Sequence, residues 1–156
     1  MWIDQRGSEI LPRGECLRLV AVAAREGQVG RLGISRPGAP LVLPISFGYV
    51  ADGVLVNLGP GRTADVVVGS LVAFETDHVD EASGEAWAVL VRGLATELAD
   101  DEVERWRPSL PRPRVAHPGS RFVRIRPDVV TGRRFVATGS PEAPAPADPP
   151  AVPVAS

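Results

Sequence analysis

The first regular pattern along the chain is helical. Within residues 12–24, Cys16, Leu17, Val20, Ala21 and Ala24 recur at spacings that put them on one helix face. Pro12 suits a first turn, where its missing N–H costs nothing. Glu15 near the start and Arg25 near the end agree with the helix dipole, and Gly27 ends the run. From Gln28 the period shortens to two. Residues 28–36 predict a strand closed by Pro37-Gly38, and residues 40–50 a second strand that is apolar on both faces. Asp52-Gly53 is a hairpin signal, and residues 54–58 are the returning strand. A Gly59-Pro60-Gly61-Arg62-Thr63 loop leads into a short helix over 63–69. Residues 71–77 and 86–98 predict two further strands joined by an acidic loop. Residues 100–106 predict a short acidic helix capped by Asp100 or Asp101. A Pro-rich connector follows at 108–118. Then Phe122, Arg124 and Arg126 alternate with Val123 and Ile125, and a last strand runs to about Phe135. Strands dominate, turns are short and no βαβ alternation occurs. The expected class is mainly β, an antiparallel barrel or sandwich with two or three short helices.

Composition sharpens this picture. The chain has 156 residues, 44% of them hydrophobic and 23% charged, which suits one globular domain. Its 16 glycines and 16 prolines favour short strands and tight turns over a helical bundle. The domain is expected to occupy residues 1–138. Residues 139–156 are rich in Pro and Ala, carry no apolar side chain larger than valine, and are expected to form a disordered tail; a proline-motif ligand is the other reading. No apolar run approaches the roughly 20 residues of a membrane span. Met1-Trp2-Ile3-Asp4-Gln5-Arg6 lacks the apolar stretch of a signal peptide. The single cysteine, Cys16, cannot form an internal disulfide and falls on the helix stripe, as a buried hydrophobe would. A cytoplasmic protein with no membrane partner is the expectation.

Candidate chemistry is sparse. All 17 basic residues are arginine, so no lysine exists for a Schiff base. The 59–63 loop can present backbone N–H groups, Arg62 and Thr63 to an anion, or it can be a plain turn; it lacks the spacing and lysine of a P-loop. Glu75, Asp77, His78, Asp80 and Glu81 cluster in sequence, but alternation along a strand sends them to both faces, so a solvated loop is expected rather than a metal site. Nine arginines lie between Arg105 and Arg134, opposed there only by Asp128. The readings are ion pairing with the acidic segments 75–85 and 97–104, a cationic rim for an anionic ligand, or nucleic acid; net charge -2 and few aromatics for stacking weigh against the last, and no nucleic-acid partner is expected. There is no nucleophile elbow, no H-E-x-x-H, and no hydrolase pattern among Ser46, Asp77 and His78. These residues by themselves describe an anion-binding β-barrel.

The order of segments is more specific than any one motif. Glu15-Cys16-Leu17-Arg18-Leu19 precedes Val29-Gly30-Arg31-Leu32-Gly33; then come Leu41 to Phe47 with its Pro44-Ile45-Ser46, and Gly59-Pro60-Gly61. Val72 to Glu81 leads to Trp87-Ala88-Val89-Leu90-Val91-Arg92-Gly93, and Val123-Arg124-Ile125-Arg126-Pro127 precedes Val130-Thr131-Gly132-Arg133-Arg134. Over about residues 10–136 this set resembles the pyridoxamine 5'-phosphate oxidase-like split β-barrels, in particular the small actinobacterial, nitroimidazole-resistance-like branch. The resemblance implies a six-stranded antiparallel Greek-key split barrel and a homodimer with FMN in a groove at its interface. It implies an oxidoreductase acting on a small-molecule redox substrate. It assigns Leu43, Pro44, Ile45 and Ser46 to the isoalloxazine edge, Asn57, Leu58, Arg62 and Thr63 to the phosphate, and Trp87 and Arg92 to the strand lining the site. Relatives commonly carry an F-R-T strand end and a G-T-K loop. Here Asn57, Leu58 and Thr63 replace the arginine, threonine and lysine, and Arg62 restores one charge. At roughly 1.5–3 kcal/mol per charge-assisted bond, FMN affinity would fall by about tenfold to a few hundredfold. A degenerate barrel holding another anionic ligand is therefore the alternative function. Deazaflavin- and haem-binding relatives exist too, and haem would need His78 or His117 as its axial ligand.

Overall fold

The computed structural model describes residues 2–3, 8–51, 53–112 and 119–135. The elements in chain order are β1 (Trp2–Ile3), β2 (Ser8–Ile10), α1 (Arg13–Arg25), β3 (Val29–Ile34), β4 (Leu41–Val50), β5 (Gly53–Asn57), α2 (Arg62–Val67), β6 (Leu71–Asp80), β7 (Glu85–Glu97), α3 (Asp100–Trp106), a 3₁₀ turn at Arg107–Ser109, β8 (Phe122–Ile125) and β9 (Val129–Phe135). Every strand pair is antiparallel. The order β7-β6-β3-β4-β5-β8 returns to β7, so six strands close a barrel. β7 is long enough to serve two neighbours on one edge: Ala86–Arg92 pairs with β9 and Ala95–Glu97 with β8. The barrel splits where the chain passes from β8 to β9 over Gly93. A Cβ there would lie 1.7 Å from the Arg126 carbonyl oxygen, so only glycine fits. Arg126 N–H donates to Leu94 O at 3.0 Å, and Leu94 N–H donates to Asp128 Oδ2 at 3.3 Å, which fastens the crossing.

The core forms from inward positions on every barrel strand. Leu32, Val54, Val56, Phe74, Val89, Val91, Val123 and Ile125 are buried there, and Phe47 meets Phe74 edge-on at 4.7 Å between ring centroids. Helix α1 seals this core with Cys16, Leu19, Val20 and Ala23. The buried stripe thus runs through Leu19 and Ala23 as well as Cys16 and Val20, while Leu17, Ala21 and Ala24 flank it half-buried. Both sets keep helical spacing, and contact with β4 and β9 selects the first. Burial pushes the Cys16 thiol pKa up, in keeping with a packed core residue. A smaller cluster of Val50, Leu55 and Leu98 lies outside the barrel under Val103 and Trp106 of α3.

The acidic loop expected after Asp77 is mostly strand. β6 and β7 stay paired to Asp80↔Glu85, and Asp80 Oδ1 accepts from Ala82 N–H at 2.9 Å, closing a tight turn. The short strands β1 and β2, too brief to be read as a pattern, extend the sheet beyond β9. The tail over 139–156 and His117 lie outside the described residues. No helix among the described residues is long and apolar enough to cross a membrane.

Register also assigns a second sheet face. Opposed residues of antiparallel strands share a face, so Val42, Gly33, Ala73, Arg92 and Val129 form one outward row, and Val79, Ala86 and Phe135 another. Alternation adds Val29, Leu71 and Ile10. All seven large hydrophobics exposed among the described residues therefore lie on the face opposite α1, with Leu71 at 74%, Val42 at 63% and Val79 at 60% exposure. Arg31 sits among them, bound to Glu75 at 2.8 Å and Asp77 at 2.6 Å.

Candidate functional site

β4 changes partner along its length, pairing with β5 over Phe47–Val50. Before that, residues 41–46 meet β3 alone, because β5 ends at Asn57. Alternate N–H and C=O groups along this stretch point away from β3 with no strand beside them. What ends β5 is a local hydrogen-bond device. Gly59 N–H donates to Asn57 Oδ1 at 3.0 Å, Asn57 Nδ2 donates to Ser120 Oγ at 3.1 Å, and Leu58 N–H donates to Arg121 O at 3.0 Å. Gly59 has φ +64° and Gly61 φ +142°, conformations that glycine adopts readily. The chain therefore peels off β4 and enters α2 with Arg62 and Thr63 in its first turn.

Arg121 anchors this turn. Its guanidinium binds Asp65 of α2 at 2.6 Å and Glu97 of β7 at 2.8 Å. The bond to Glu97, then that to Asp65, raises the Arg121 pKa, and the same bond lowers that of Glu97. Arg121 and Ser120 were not singled out from the sequence. Their contacts span β5, α2 and β7, and no local spacing announces them.

The ten residues assigned to a site from the sequence fall into several groups. Arg62 is exposed, Thr63 half-buried, and neither side chain has a hydrogen-bond or ionic partner among the described residues. Asn57 sits beside them, but its oxygen and its nitrogen are both engaged within the protein. Leu58 packs against the core. On β4, Leu43 and Ile45 also pack against the core, Pro44 is exposed, and the Ser46 hydroxyl has no partner among the described residues. Trp87 and Arg92 are five positions apart on β7 and so point to opposite faces. Trp87 stacks on His78, with ring centroids 6.1 Å apart, and lies opposite Arg134 of β9. His78 Nδ1 faces Gln28 Nε2 at 3.2 Å. Arg92 instead stands on the outward sheet face, in a depression of about 480 Å³ with Val42, Leu71 and Val129.

The arginine-rich half is largely ion-paired. Arg105 meets Asp101, Arg107 meets Glu104, Arg124 meets Glu102 at 3.4 Å, and Arg126 meets Asp128 at 2.6 Å. The acidic segment 97–104 supplies most partners, whereas Glu75 and Asp77 bind Arg31 of β3. Arg134 holds Glu9 at 3.4 Å and Glu15 at 3.0 Å. Bonds from Arg18 first, and from Arg134, lower the Glu15 pKa to about 2. No group of three or more metal-ligating side chains gathers among the described residues.

A closed antiparallel barrel split along β7, with a glycine loop turned aside from an open strand edge, defines a split-barrel protein. The family described as pyridoxamine 5'-phosphate oxidase matches residues 12–134, and the chain belongs to that family. It is 35% identical over 135 residues to the uncharacterized protein Rv0080 of Mycobacterium tuberculosis, covering 81% of this chain and 85% of that one. Among solved structures it is similar to the FAD binding protein from Mycobacterium smegmatis, with 27% identity, TM-score 0.68, and coverage of 81% of this chain and 99% of that chain. It shares its fold with the FAD and heme binding protein from Mycobacterium smegmatis, with 14% identity, TM-score 0.62, and coverage of 85% and 74%.

Proposed function

We propose that the protein binds a flavin, FMN in the first instance, and acts as an oxidoreductase on a small-molecule substrate. The observation that carries this reading is the open edge of β4 at residues 41–46 beside a loop whose Arg62 and Thr63 side chains are uncommitted. The donor set fits the group. Alternate residues of 43–46 turn N–H and C=O to the open edge, so either Leu43 and Ile45, or Ser46 with the Pro44 carbonyl, would meet the polar edge of an isoalloxazine. Arg62 and the Thr63 hydroxyl suit one terminal phosphate, which favours FMN over a longer dinucleotide. Bound there, the flavin would supply hydride or electron transfer, while the protein supplies position and electrostatics. Asn57 serves the reading indirectly, by shaping the loop.

The family relation and the similarity to an FAD binding protein support the flavin. They leave the choice between FMN and FAD to experiment. The purified protein is mixed with FMN or with FAD, freed of excess, and its visible spectrum is recorded. Retention of FMN is expected; retention of neither overturns the reading. A second reading has its own observation: with Asn57 engaged and Leu58 packed inward, Arg62 is the loop's sole charge. In that reading the barrel binds flavin weakly and serves another anionic ligand. Of the two histidines a haem could use, His78 has its ring stacked on Trp87, and His117 lies outside the described residues.

The protein is proposed to work as a homodimer through the face that carries Val42, Leu71, Val79, Val129 and Phe135. One-sided apolar exposure of this kind suits a two-fold, self-complementary interface. The Arg31–Glu75–Asp77 group neutralises itself within that face, which lowers the cost of covering it.

A further inference from the structure

Arg62 opens α2, and Asp65 stands three positions on in the same first turn. At that spacing on a helix, opposite charges are neighbours and ordinarily pair. Here they do not. Arg62 has no hydrogen-bond or ionic partner among the described residues, and Asp65 Oδ1 instead accepts from Arg121 Nη1 at 2.6 Å. Arg121 reaches it from the segment before β8. The guanidinium is fixed by two further bonds, from Nε and Nη2 to the two carboxylate oxygens of Glu97 on β7, at 2.9 and 2.8 Å. The backbone holds the same segment, because Leu58 N–H donates to Arg121 O at 3.0 Å. Asp65 is 69% exposed and is bound by Arg121 alone among the described residues, so it is the member of the trio that can change partner. Two carboxylates on one guanidinium leave the trio net negative, so Arg121 is not itself an anion ligand.

We propose that Arg121 is a positioning residue for the turn that starts α2: by claiming Asp65 it keeps Arg62 free to meet an anion. Without Arg121, Asp65 has two courses open, and both weaken the site. It can pair with Arg62 at i,i+3 and occupy the loop's one cation. It can also stand unneutralised beside the anion that Arg62 would hold, and repel it. The fork on Glu97 matters because it sets where the guanidinium sits, which a flexible lysine ammonium does less well. The proposal rests on the flavin reading only for the identity of the anion. The competition of Arg121 and Arg62 for Asp65 exists in the protein without ligand.

Two readouts test it. The first uses flavin-free protein and follows the Arg62 Nε–H proton by NMR, identified by its loss in Arg62→Ala. Arg121→Met is expected to shift that signal as Arg62 takes up Asp65, and adding Asp65→Asn to return it. The second is FMN affinity at low ionic strength. Arg121→Met should weaken FMN by about five- to tenfold, and Arg121→Lys, which keeps the charge, by less. Raising the salt to about 0.5 M should shrink the difference, because the unmasked charge is exposed. Arg121→Met combined with Asp65→Asn should recover the wild-type affinity. That recovery separates the proposal from a merely structural role, since removing a second contact does not repair a misfolded loop. An Arg62 signal indifferent to Arg121→Met, or an FMN loss that Asp65→Asn fails to repair, would overturn the proposal. If the wild type binds no FMN and the Arg62 signal responds as expected, the flavin reading fails and the role of Arg121 stands. If FMN binds and Arg121→Met leaves its affinity unchanged, the proposal fails and the flavin reading stands.

Discussion

Asn57→Ala separates a loop-shaping residue from a phosphate ligand. The wild-type side chain makes two half-buried hydrogen bonds, one accepted from Gly59 N–H at 3.0 Å and one donated to Ser120 Oγ at 3.1 Å. Each is worth about 0.5–1.5 kcal/mol. Water can replace part of both, because the site is only half-buried, so a loss of about 1–2 kcal/mol is expected. For a chain of this size that corresponds to roughly 3–8 °C in melting temperature. Asn57→Asp keeps an acceptor for Gly59 and loses the donor to Ser120, so it should lose about half as much. Thermal and urea unfolding of the three proteins read stability, and FMN titration of each reads affinity. The account expects stability to fall in the order wild type, Asn57→Asp, Asn57→Ala, with affinity following loop order. An unchanged melting temperature in Asn57→Ala, together with a tenfold or greater loss of FMN affinity, would refute the reasoning and make Asn57 a direct ligand.

Other expectations follow from the same contacts. Thr63→Lys adds a charge beside Arg62 and should tighten FMN by about tenfold in a titration; adding Asn57→Arg should give no further gain, because it breaks the turn at Gly59. Gly93→Ala drives a Cβ into the Arg126 carbonyl and should cost about 3 kcal/mol or more in urea unfolding, whereas Gly14→Ala, with open space around it and ordinary helical backbone, should cost nothing. Glu15 has its pKa lowered to about 2 by Arg18 and Arg134. A carboxylate with a depressed folded-state pKa stabilises above its unfolded pKa and loses that contribution as pH falls. Glu15→Gln should therefore melt lower than wild type near pH 6, and the difference should close toward pH 2. Val42→Asp with Leu71→Asp places charges on the outward face and should give a monomer by light scattering at micromolar concentration, where the wild type is expected to be a dimer.

The barrel strands were legible because each keeps one buried face. Val123 and Ile125 alternate with their neighbours as a single strand should, and both are fully buried. β4 and β5 pair antiparallel from Val50↔Gly53 onward, as the hairpin signal predicts. Where local pattern failed, the missing information lay in partners. Val79 and Asp80 look like loop until β7 lies beside them, and Ser8–Ile10 becomes a strand only because β9 offers an edge. The site divides in the same way. The position of Arg62 and Thr63 at the start of α2 was readable from a glycine loop entering a helix. The engagement of Asn57 depends on Ser120, 63 residues away, and that of Asp65 on Arg121, 56 residues away. Trp87 and Arg92 looked like neighbours on one strand, and the parity of their positions sends them to opposite faces.

In the proposed function, the loop after β5 holds the flavin phosphate through Arg62. The most direct test is FMN affinity of the wild type against Arg62→Ala, read by fluorescence quenching of free FMN. The exposed Arg62 side chain makes no hydrogen bond or ion pair among the described residues, so the variant should melt as the wild type does. The account expects affinity to fall about tenfold or more. An affinity unchanged by Arg62→Ala would contradict it.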